Sequence, residues 1–493
     1  MNRDKKRIAV LGAGIAGLAT AIDLAANGHH VIVFEKNSTE GGRGRSFTQD
    51  GFRFDMGPSW YWMPDIFEAF FNKHNKSASD YFKLVRLDPS YRIFFKNQIL
   101  DAPAEIEETY KLFEKTETGS SNFLKAFLAD AKIKYEVGMK DFVRKPALKI
   151  SEYLDFSIFK NIFKLQLFKS IDKIIDKGIQ DNNLRSWLKF PALFLGAKPV
   201  DTPGLYSLMN YADLVLGSWY PMGGMEQLFK AMKSLALEKM VDFHFNEEVK
   251  SIEILDGKAQ TIKTDQSTYE IDYVVSTIDY HHTESSLLSP EYRQYSEEYW
   301  NKRVLAPSAL IFYLGIRGKI DGLLHHNLFF DENFEDHALY IYDKKQWPEK
   351  PLFYVCVPSK TDNTVAPNDC ENLFVLIPIS SGLVDSNSER DKLFETVMNR
   401  IEFKLNLSLS NRIIYKSSYC IDDFKKDYYS YKGNAYGLSN ILSQTGPLKP
   451  RIKHKKISNL YYAGQLTHPG PGLPPSLISG EIVASLINKE ITT

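Results

Sequence analysis

Gly12, Gly14, Gly17 and Glu35 are the residues whose types and spacing promise chemistry. The glycines stand at G-x-G-x-x-G, and Glu35 follows 18 residues after the last of them. In that pattern the first glycine permits a tight turn, the second lets backbone approach a pyrophosphate, and the third lets a helix pack closely on a strand. An acidic residue about 20 residues further on accepts a hydrogen bond from a ribose hydroxyl. A 2′-phosphate there would face a second anion, so Glu35 argues against one. Motifs of hydrolytic and metal chemistry are missing: the sequence has no H-E-x-x-H, no G-x-S-x-G and no Cys/His cluster. His281-His282 and His325-His326 lack the i, i+4 spacing of helical metal ligands. They read as surface or turn residues, and no metal is expected.

The flanking stretches supply the elements that must hold these residues. Ile8 to Leu11 is an uninterrupted apolar run, as in a buried parallel strand. A helix runs through Leu18, Ala21, Ile22 and Leu24 and stops near Asn27-Gly28. A second strand, Val31 to Phe34, delivers Glu35. Strand, glycine loop, helix, strand and terminal acid in this order form a nucleotide-binding βαβ unit. Glu40-Gly41-Gly42-Arg43-Gly44-Arg45 follows, with glycines for close approach and two arginines that offer cations to phosphate or flavin oxygens. Gly51 to Ser59 reads as a short strand and a Gly57-Pro58-Ser59 turn, and Trp60-Tyr61-Trp62-Met63 follows it. These aromatics wedge between domains or, in the placement that the family resemblance given below implies, face the cofactor and the substrate mouth.

Further along, residues 104–190 read as mainly helical, with a break at Lys145-Pro146. Gly217 to Met225 is a glycine-rich turn leading into a helix near Met225. Short strands return over 241–285, including an Asp256-Gly257 hairpin and a buried run at 273–277. Residues 300–430 alternate strand-like runs, read as an antiparallel sheet, with a helix at Glu389 to Phe403. Leu460 to Gly464 is a strand ending in glycine, and a helix runs through Ile478 to Ile487.

These motifs, in this order, resemble the flavin-containing amine oxidase superfamily, and within it the bacterial-type phytoene desaturases (carotenoid desaturases). The resemblance rests on the βαβ unit, the GGR loop, the Gly-Pro-Ser turn, the W-Y-P-x-G-G turn at Trp219 to Gly224, and Tyr461 to Pro474, which is similar to the family's Y-x-x-G-x-x-T-H-P-G-x-G-x-P. It implies FAD, held by Gly12, Gly14, Ala16, Gly17, Glu35, Lys36, Gly42, Arg43, Gly57, Pro58, Ser59, Val249, Gly464, Gln465, Gly472, Leu473 and Pro474. Val249 matches a position whose backbone contacts the adenine. The W-Y-P-x-G-G turn and His468 are placed near the flavin, with a structural hydrogen bond the expected role of His468. The C-terminal helix would point free N–H groups at the flavin pyrimidine ring.

The implied fold class is α/β: a Rossmann-like FAD-binding domain of a GR2-type flavoprotein, with a substrate domain that combines an antiparallel sheet and a helical, membrane-facing part. Residues 1–63, 241–290 and 455–493 would form the discontinuous FAD domain. Residues 64–103, 199–240 and 291–454 would form the substrate domain, and 104–198 a helical subdomain. The implied activity converts 15-cis-phytoene to lycopene by successive dehydrogenations in carotenoid biosynthesis, with oxygen or a membrane quinone as electron acceptor. The sequence names no catalytic base.

Departures lie at Ser59-Trp60-Tyr61-Trp62, Pro471 and Pro475, which line the implied cavity entrance and bear on substrate and step count. Alternatives are a hydroxycarotenoid 3,4-desaturase or isomerase-like paralogue, an FAD amine oxidase, and a non-catalytic prenyl- or lipid-binding protein such as the Rab escort proteins. Cys420, 44 residues before Gly464, speaks against a flavin linked to cysteine near the C-terminal motif.

Bulk properties agree with these expectations. A chain of 493 residues exceeds one ordinary core. A net charge of +0 offers no bulk attraction to nucleic acid. Aromatics at 13% suit a long apolar cavity for a polyene, or simply an aromatic-rich core. The three cysteines, Cys356, Cys370 and Cys420, form no disulfide framework and fit a reducing cytosol. MNRDKKR leads straight into the first strand without a signal-peptide core, and no stretch is a transmembrane helix. The expected location is cytoplasmic, peripheral to the cytoplasmic membrane face. Residues 156–179 carry Lys160, Lys164, Lys169, Lys173 and Lys177 in an apolar helical pattern. That segment either touches lipid or is a solvated helix packed on a domain.

Overall fold

A computed structural model describes residues 5–149, 152, 166–167, 169–194 and 196–493. Two sheets organise these residues. The first has five parallel strands in the order Leu460–Tyr462, Tyr273–Ser276, Arg7–Leu11, His30–Glu35, Asp242–Phe245. Leu11 lies opposite Ser276 on one side and Phe34 on the other, so three strands end together at the glycine loop. Their runs are apolar throughout because both faces are covered. Ile8, Val10, Val31 and Val33 pack with Leu18, Ile22, Ile478 and Val483, from the helices Ile15–Ala26 and Leu473–Thr492. Ala9, Leu11, Ile32 and Phe34 face Ile252 and Ile262 of a three-stranded meander. Asp256 and Gly257, both at positive φ, close its first hairpin.

The two helices touch through Gly480. A Cβ there would lie 2.4 Å from Ala16 O. This close approach seats the C-terminal segment against the first glycine loop, although 420 or more residues separate them in sequence.

The second sheet has seven strands, in the order Ile413–Tyr419, Ser308–Arg317, Cys370–Ile379, Phe353–Cys356, His326–Phe330, Tyr91–Phe95, Ile99–Ala102. Alternation along Ser308–Arg317 divides its faces. Leu310, Phe312, Leu314 and Ile316 pack with Val397 and Ile401 of the helix Asn387–Leu405, whereas Ala309, Ile311 and Tyr313 turn to the other side. The strands of 300–430 pair antiparallel with one another, as expected, and the sheet becomes mixed only where His326–Phe330 runs parallel to Tyr91–Phe95. The hairpin Tyr91–Ala102 reaches the sheet from more than 200 residues earlier in the chain, and only a tight turn enforces antiparallel pairing.

The described part of 104–198 is helical: Ile106–Thr116, Ser120–Val137, Ile171–Gly178 and Asn182–Phe194. A π-helical turn, Gly138–Phe142, ends the second of these before Lys145-Pro146. Of the lysine-punctuated segment, residues 156–165 and 168, with Lys160 and Lys164, lie outside the described residues. Ile171, Ile175 and Ile179 of its remainder are buried. Among the described residues no helix is long and apolar enough to cross a membrane.

Candidate cofactor and substrate site

The glycine loop, the Glu40–Arg45 segment and the C-terminal motif surround one elongated cavity. Gly12 has φ +99°, and a Cβ on Gly17 would lie 2.0 Å from Gly12 O, so only glycine lets the helix sit this close to the turn. A Cβ on Gly14 would meet nothing within 4 Å. Gly14 is the N-cap of Ile15–Ala26, whose first-turn N–H groups open toward the cavity as a site for an anion. Leu18 N–H already donates to Gly14 O.

Glu35 lines the same cavity and is 6% exposed. Its Oε2 accepts from Ala13 N–H at 2.9 Å, and its Oε1 from the backbone and side chain of Asn37 at 2.9 and 2.8 Å. The carboxylate thus braces the glycine loop while Oε2, which accepts one bond, keeps a lone pair for a ribose hydroxyl. Glu35→Ala should weaken FAD binding by about 1.5–3 kcal/mol, the worth of a hydrogen bond to a charged group. An FAD titration with an unchanged Kd would contradict this placement.

Lys36, beside it, donates to Lys426 O at 2.7 Å and lies over the Tyr429 ring. Val249, Ser276, Thr277 and His282 close that end. Thr277 Oγ donates to Leu11 O at 2.8 Å, and the His282 ring stacks on Tyr429 with centroids 4.0 Å apart. Burial pushes the His282 imidazole down to about 4, so it stands neutral against the cavity.

Arg43 is the cation of the middle section. Its Nη2 donates to Ser430 Oγ at 3.0 Å. In the orientation that satisfies both ends of its amide, Gln465 accepts from Arg43 at 2.9 Å and donates to Tyr436 O at 3.0 Å. Arg43 Nε is buried without a hydrogen-bond partner among the described residues. Arg45 does not share this role: it pairs with Asp427 at 2.9 Å and is no part of the cavity wall. An anion-binding helix start, a braced acid and a buried cationic donor fit a flavin adenine dinucleotide along this cavity.

At its far end the cavity meets a second, apolar one. Gly57, Pro58, Leu376, Tyr436, Gly472 and Leu473 line both. Ser59 and Pro474 line only the apolar cavity, and Gly17 lines neither. Ala16, Gly42 and Gly464 lie on the cofactor side with Arg43. The C-terminal helix begins at Leu473, earlier than the apolar pattern indicates. Pro474 and Pro475 occupy its first turn and lack N–H groups, and Ser476 N–H is bonded to Gly472 O at 3.0 Å. Leu473 N–H is therefore the one first-turn donor this helix can aim outward, fewer than expected.

The apolar cavity is walled by Trp60, Trp62, Phe190, Leu328, Phe330 and Tyr354, among others. No Asp, Glu, Lys or Arg lines it among the described residues. His337 lines it with both nitrogens engaged: Nε2 lies 2.9 Å from Pro378 O, and Nδ1 accepts from Leu352 N–H at 2.9 Å. Behind Trp60, the Tyr91 hydroxyl donates to Asp213 at 2.7 Å and accepts from Trp187 at 2.7 Å. Burial pushes the Asp213 carboxyl from 3.8 up to about 7. The folded chain therefore holds a proton that the unfolded chain has already lost, and stability falls as pH rises from about 4 to about 7. Asp213→Asn should raise the melting temperature by a few degrees at pH 8 and by less at pH 5; equal gains at both would refute the assignment.

Three expectations are corrected. His325 and His326 are buried, at 4% and 0% exposure, and are not surface residues. The sequence hid this because His326 opens a strand at the sheet interior. None of Gly217–Met225 lines the cofactor cavity; the turn is held from behind by Asp55, which accepts from Met225 N–H at 3.0 Å, and only Phe229 of the following helix reaches the wall. His468 lines neither cavity, so its placement beside the flavin is corrected, but its role is the structural hydrogen bond expected of it: Nε2 lies 3.0 Å from Val143 O and ties the C-terminal motif to the helical region. Reasoning from sequence also missed Tyr436 and Leu376 at the junction, which carry no motif.

Comparison with known proteins adds independent information. The family model for flavin containing amine oxidoreductases matches residues 15–488. A carotenoid 3,4-desaturase of Haloarcula japonica is 36% identical, over 98% of each chain. A zeta-carotene-forming phytoene desaturase of Myxococcus xanthus is 31% identical, over 97% of this chain and 93% of its own. Among solved structures, an oxidoreductase from Methanosarcina mazei aligns with a TM-score of 0.62 at 18% identity, over 98% of this chain and 99% of its own. Putrescine oxidase bound to putrescine aligns at 0.60 and 14%, over 98% and 99%. These last two likenesses concern the fold.

Proposed function

The chain belongs to the flavin containing amine oxidoreductase family and binds FAD, and from this premise we propose that it is a carotenoid desaturase whose substrate is phytoene. The observation that carries the reading is the junction at Gly57-Pro58, Leu376, Tyr436 and Gly472-Leu473, where an apolar cavity with no charged side chain among its described lining residues opens onto the cofactor cavity. The carotenoid-desaturase relatives, similar over nearly the whole chain, support it.

Bound FAD supplies a hydride acceptor for C–H oxidation. The protein has to align a hydrocarbon and keep water out. Trp60, Trp62 and Phe190 present flat apolar faces to the chain, and Leu376 and Tyr436 place it beside the junction. His337 is fixed neutral by its two hydrogen bonds and by burial, which pushes it down to about 4; it orients the wall and takes no proton. An amine cation would find no carboxylate among the described residues of this wall, which weighs against an amine substrate. The hydrocarbon would enter from a lipid surface, with oxygen or a quinone reoxidising the flavin.

A second reading, 3,4-desaturation of a hydroxylated carotenoid, draws on the Haloarcula relative and on one feature of the wall. Ser59 Oγ and the Tyr354 hydroxyl, 3.0 Å apart, form a polar pair that an end-group hydroxyl could join. Incubation of the purified protein with FAD, liposomes and phytoene, followed by pigment chromatography, separates the two. Coloured products with added double bonds are expected. Untouched phytoene with a converted hydroxycarotenoid would move the assignment to the second reading.

A further inference from the structure

Three side chains that flavin chemistry does not use converge behind the apolar cavity. His326 pairs across the sheet with Cys356, and His325 precedes it directly. All three are buried, and one ligand atom from each lies within 4.8 Å of the others. Both imidazoles are held through Nδ1: that of His325 lies 2.7 Å from Thr361 Oγ, and that of His326 lies 2.6 Å from the Tyr354 hydroxyl. Both Nε2 atoms are buried without a hydrogen-bond partner among the described residues. An Nδ1–H donated to a hydroxyl leaves a lone pair on Nε2, the arrangement in which a histidine binds metal through Nε2.

We propose that His325, His326 and Cys356 form a three-coordinate site for the soft monovalent cation Cu(I). Thiolate and imidazole are its preferred donors. Cys356 loses its proton to solvent as the sulfur–copper bond forms, and thiolate and Cu(I) then cancel in charge, which suits a site shut off from water. A structural Zn(II) site takes four ligands, and among the described residues the cluster offers three. The charge of Asp362 faces His325, and that of Asp55 faces Cys356. Trp60 stacks on the His326 ring with centroids 4.0 Å apart, so a bound ion would stiffen the wall of the apolar cavity. The site stands whether or not phytoene is the substrate.

The test is an anaerobic Cu(I) titration of the FAD-loaded protein against bicinchoninate, with copper K-edge absorption of the product. One equivalent should bind, with two nitrogen scatterers and one sulfur. Cys356→Ser should lower the affinity by about 100-fold or more, and Cys370→Ser should leave it unchanged. No stoichiometric uptake, an oxygen-dominated shell, or loss of binding in Cys370→Ser would overturn the proposal. So would preferential uptake of Zn(II). If Cys356→Ser fails to fold, the wild-type absorption edge decides by itself.

Discussion

Gly17→Ala should yield a protein that retains no FAD and melts far below the wild type. The added Cβ would sit 2.0 Å from Gly12 O and 2.8 Å from Thr277 Oγ. Neither neighbour can give way. Gly12 O belongs to a turn already at φ +99°, and Thr277 Oγ is bonded to Leu11 O and Gly12 O. The helix Ile15–Ala26 must therefore shift off the sheet, and it carries the first-turn N–H groups of the cofactor cavity with it. Overpacking of this kind costs about 1–3 kcal/mol, and more where backbone is the obstacle. Here the same shift breaks the contact through Gly480 to the C-terminal helix. Gly14→Ala is the control, because its Cβ would meet no protein atom within 4 Å. That variant should fold normally and lose affinity only where its methyl enters the cofactor's space. Flavin absorbance after desalting and a thermal melt read both effects. Retained flavin in Gly17→Ala would show that the helix can move without opening the site.

The contrast between these glycines marks how far the sequence alone could be read. The βαβ unit was legible because its signals are local: an apolar run, glycines at fixed spacing, a helix end and an acid. Glu35 and the glycine loop accordingly meet at one cavity. The C-terminal motif was legible for the same reason, but its orientation depends on Gly480 against Ala16, a contact between distant segments. The helix at its end offers fewer donors than its position promises, because Pro474 and Pro475 carry no N–H.

Adjacent histidines give no spacing signal, so the burial of His325 and His326 could not be read. It follows from which strands flank His326–Phe330: Phe353–Cys356 on one side and, by a parallel pairing, Tyr91–Phe95 on the other. Ser59 and Pro474 were expected at the cofactor and line the apolar cavity instead. They stand one step past the junction residues Gly57-Pro58 and Leu473, a distinction of a few ångströms that a motif does not encode.

Blocking the apolar cavity should slow turnover sharply without touching the flavin. Ala338, on the helix Phe334–Leu339, is 5% exposed and lines the apolar cavity but not the cofactor cavity. Its neighbours His337 and Ile341 line the same wall. A tryptophan at 338 would project into space that a polyene needs, in a cavity whose lining already holds Trp60, Trp62, Phe190 and Phe330. Ala338→Trp should therefore lower kcat/KM for the proposed substrate, phytoene, by about 100-fold or more, close to 2.7 kcal/mol of lost transition-state binding. FAD content and the visible flavin spectrum should remain those of the wild type. Anaerobic mixing with substrate in liposomes gives the clearest reading, because bleaching of the flavin band reports the first dehydrogenation before any acceptor is involved. Bleaching at the wild-type rate would mean that the hydrocarbon reaches the flavin by another route, and the apolar cavity would lose its assigned role. Loss of flavin together with turnover would point to damage in the fold, which a melt at the same pH would reveal. Slow bleaching with flavin intact is the outcome that joins the two cavities into one active site.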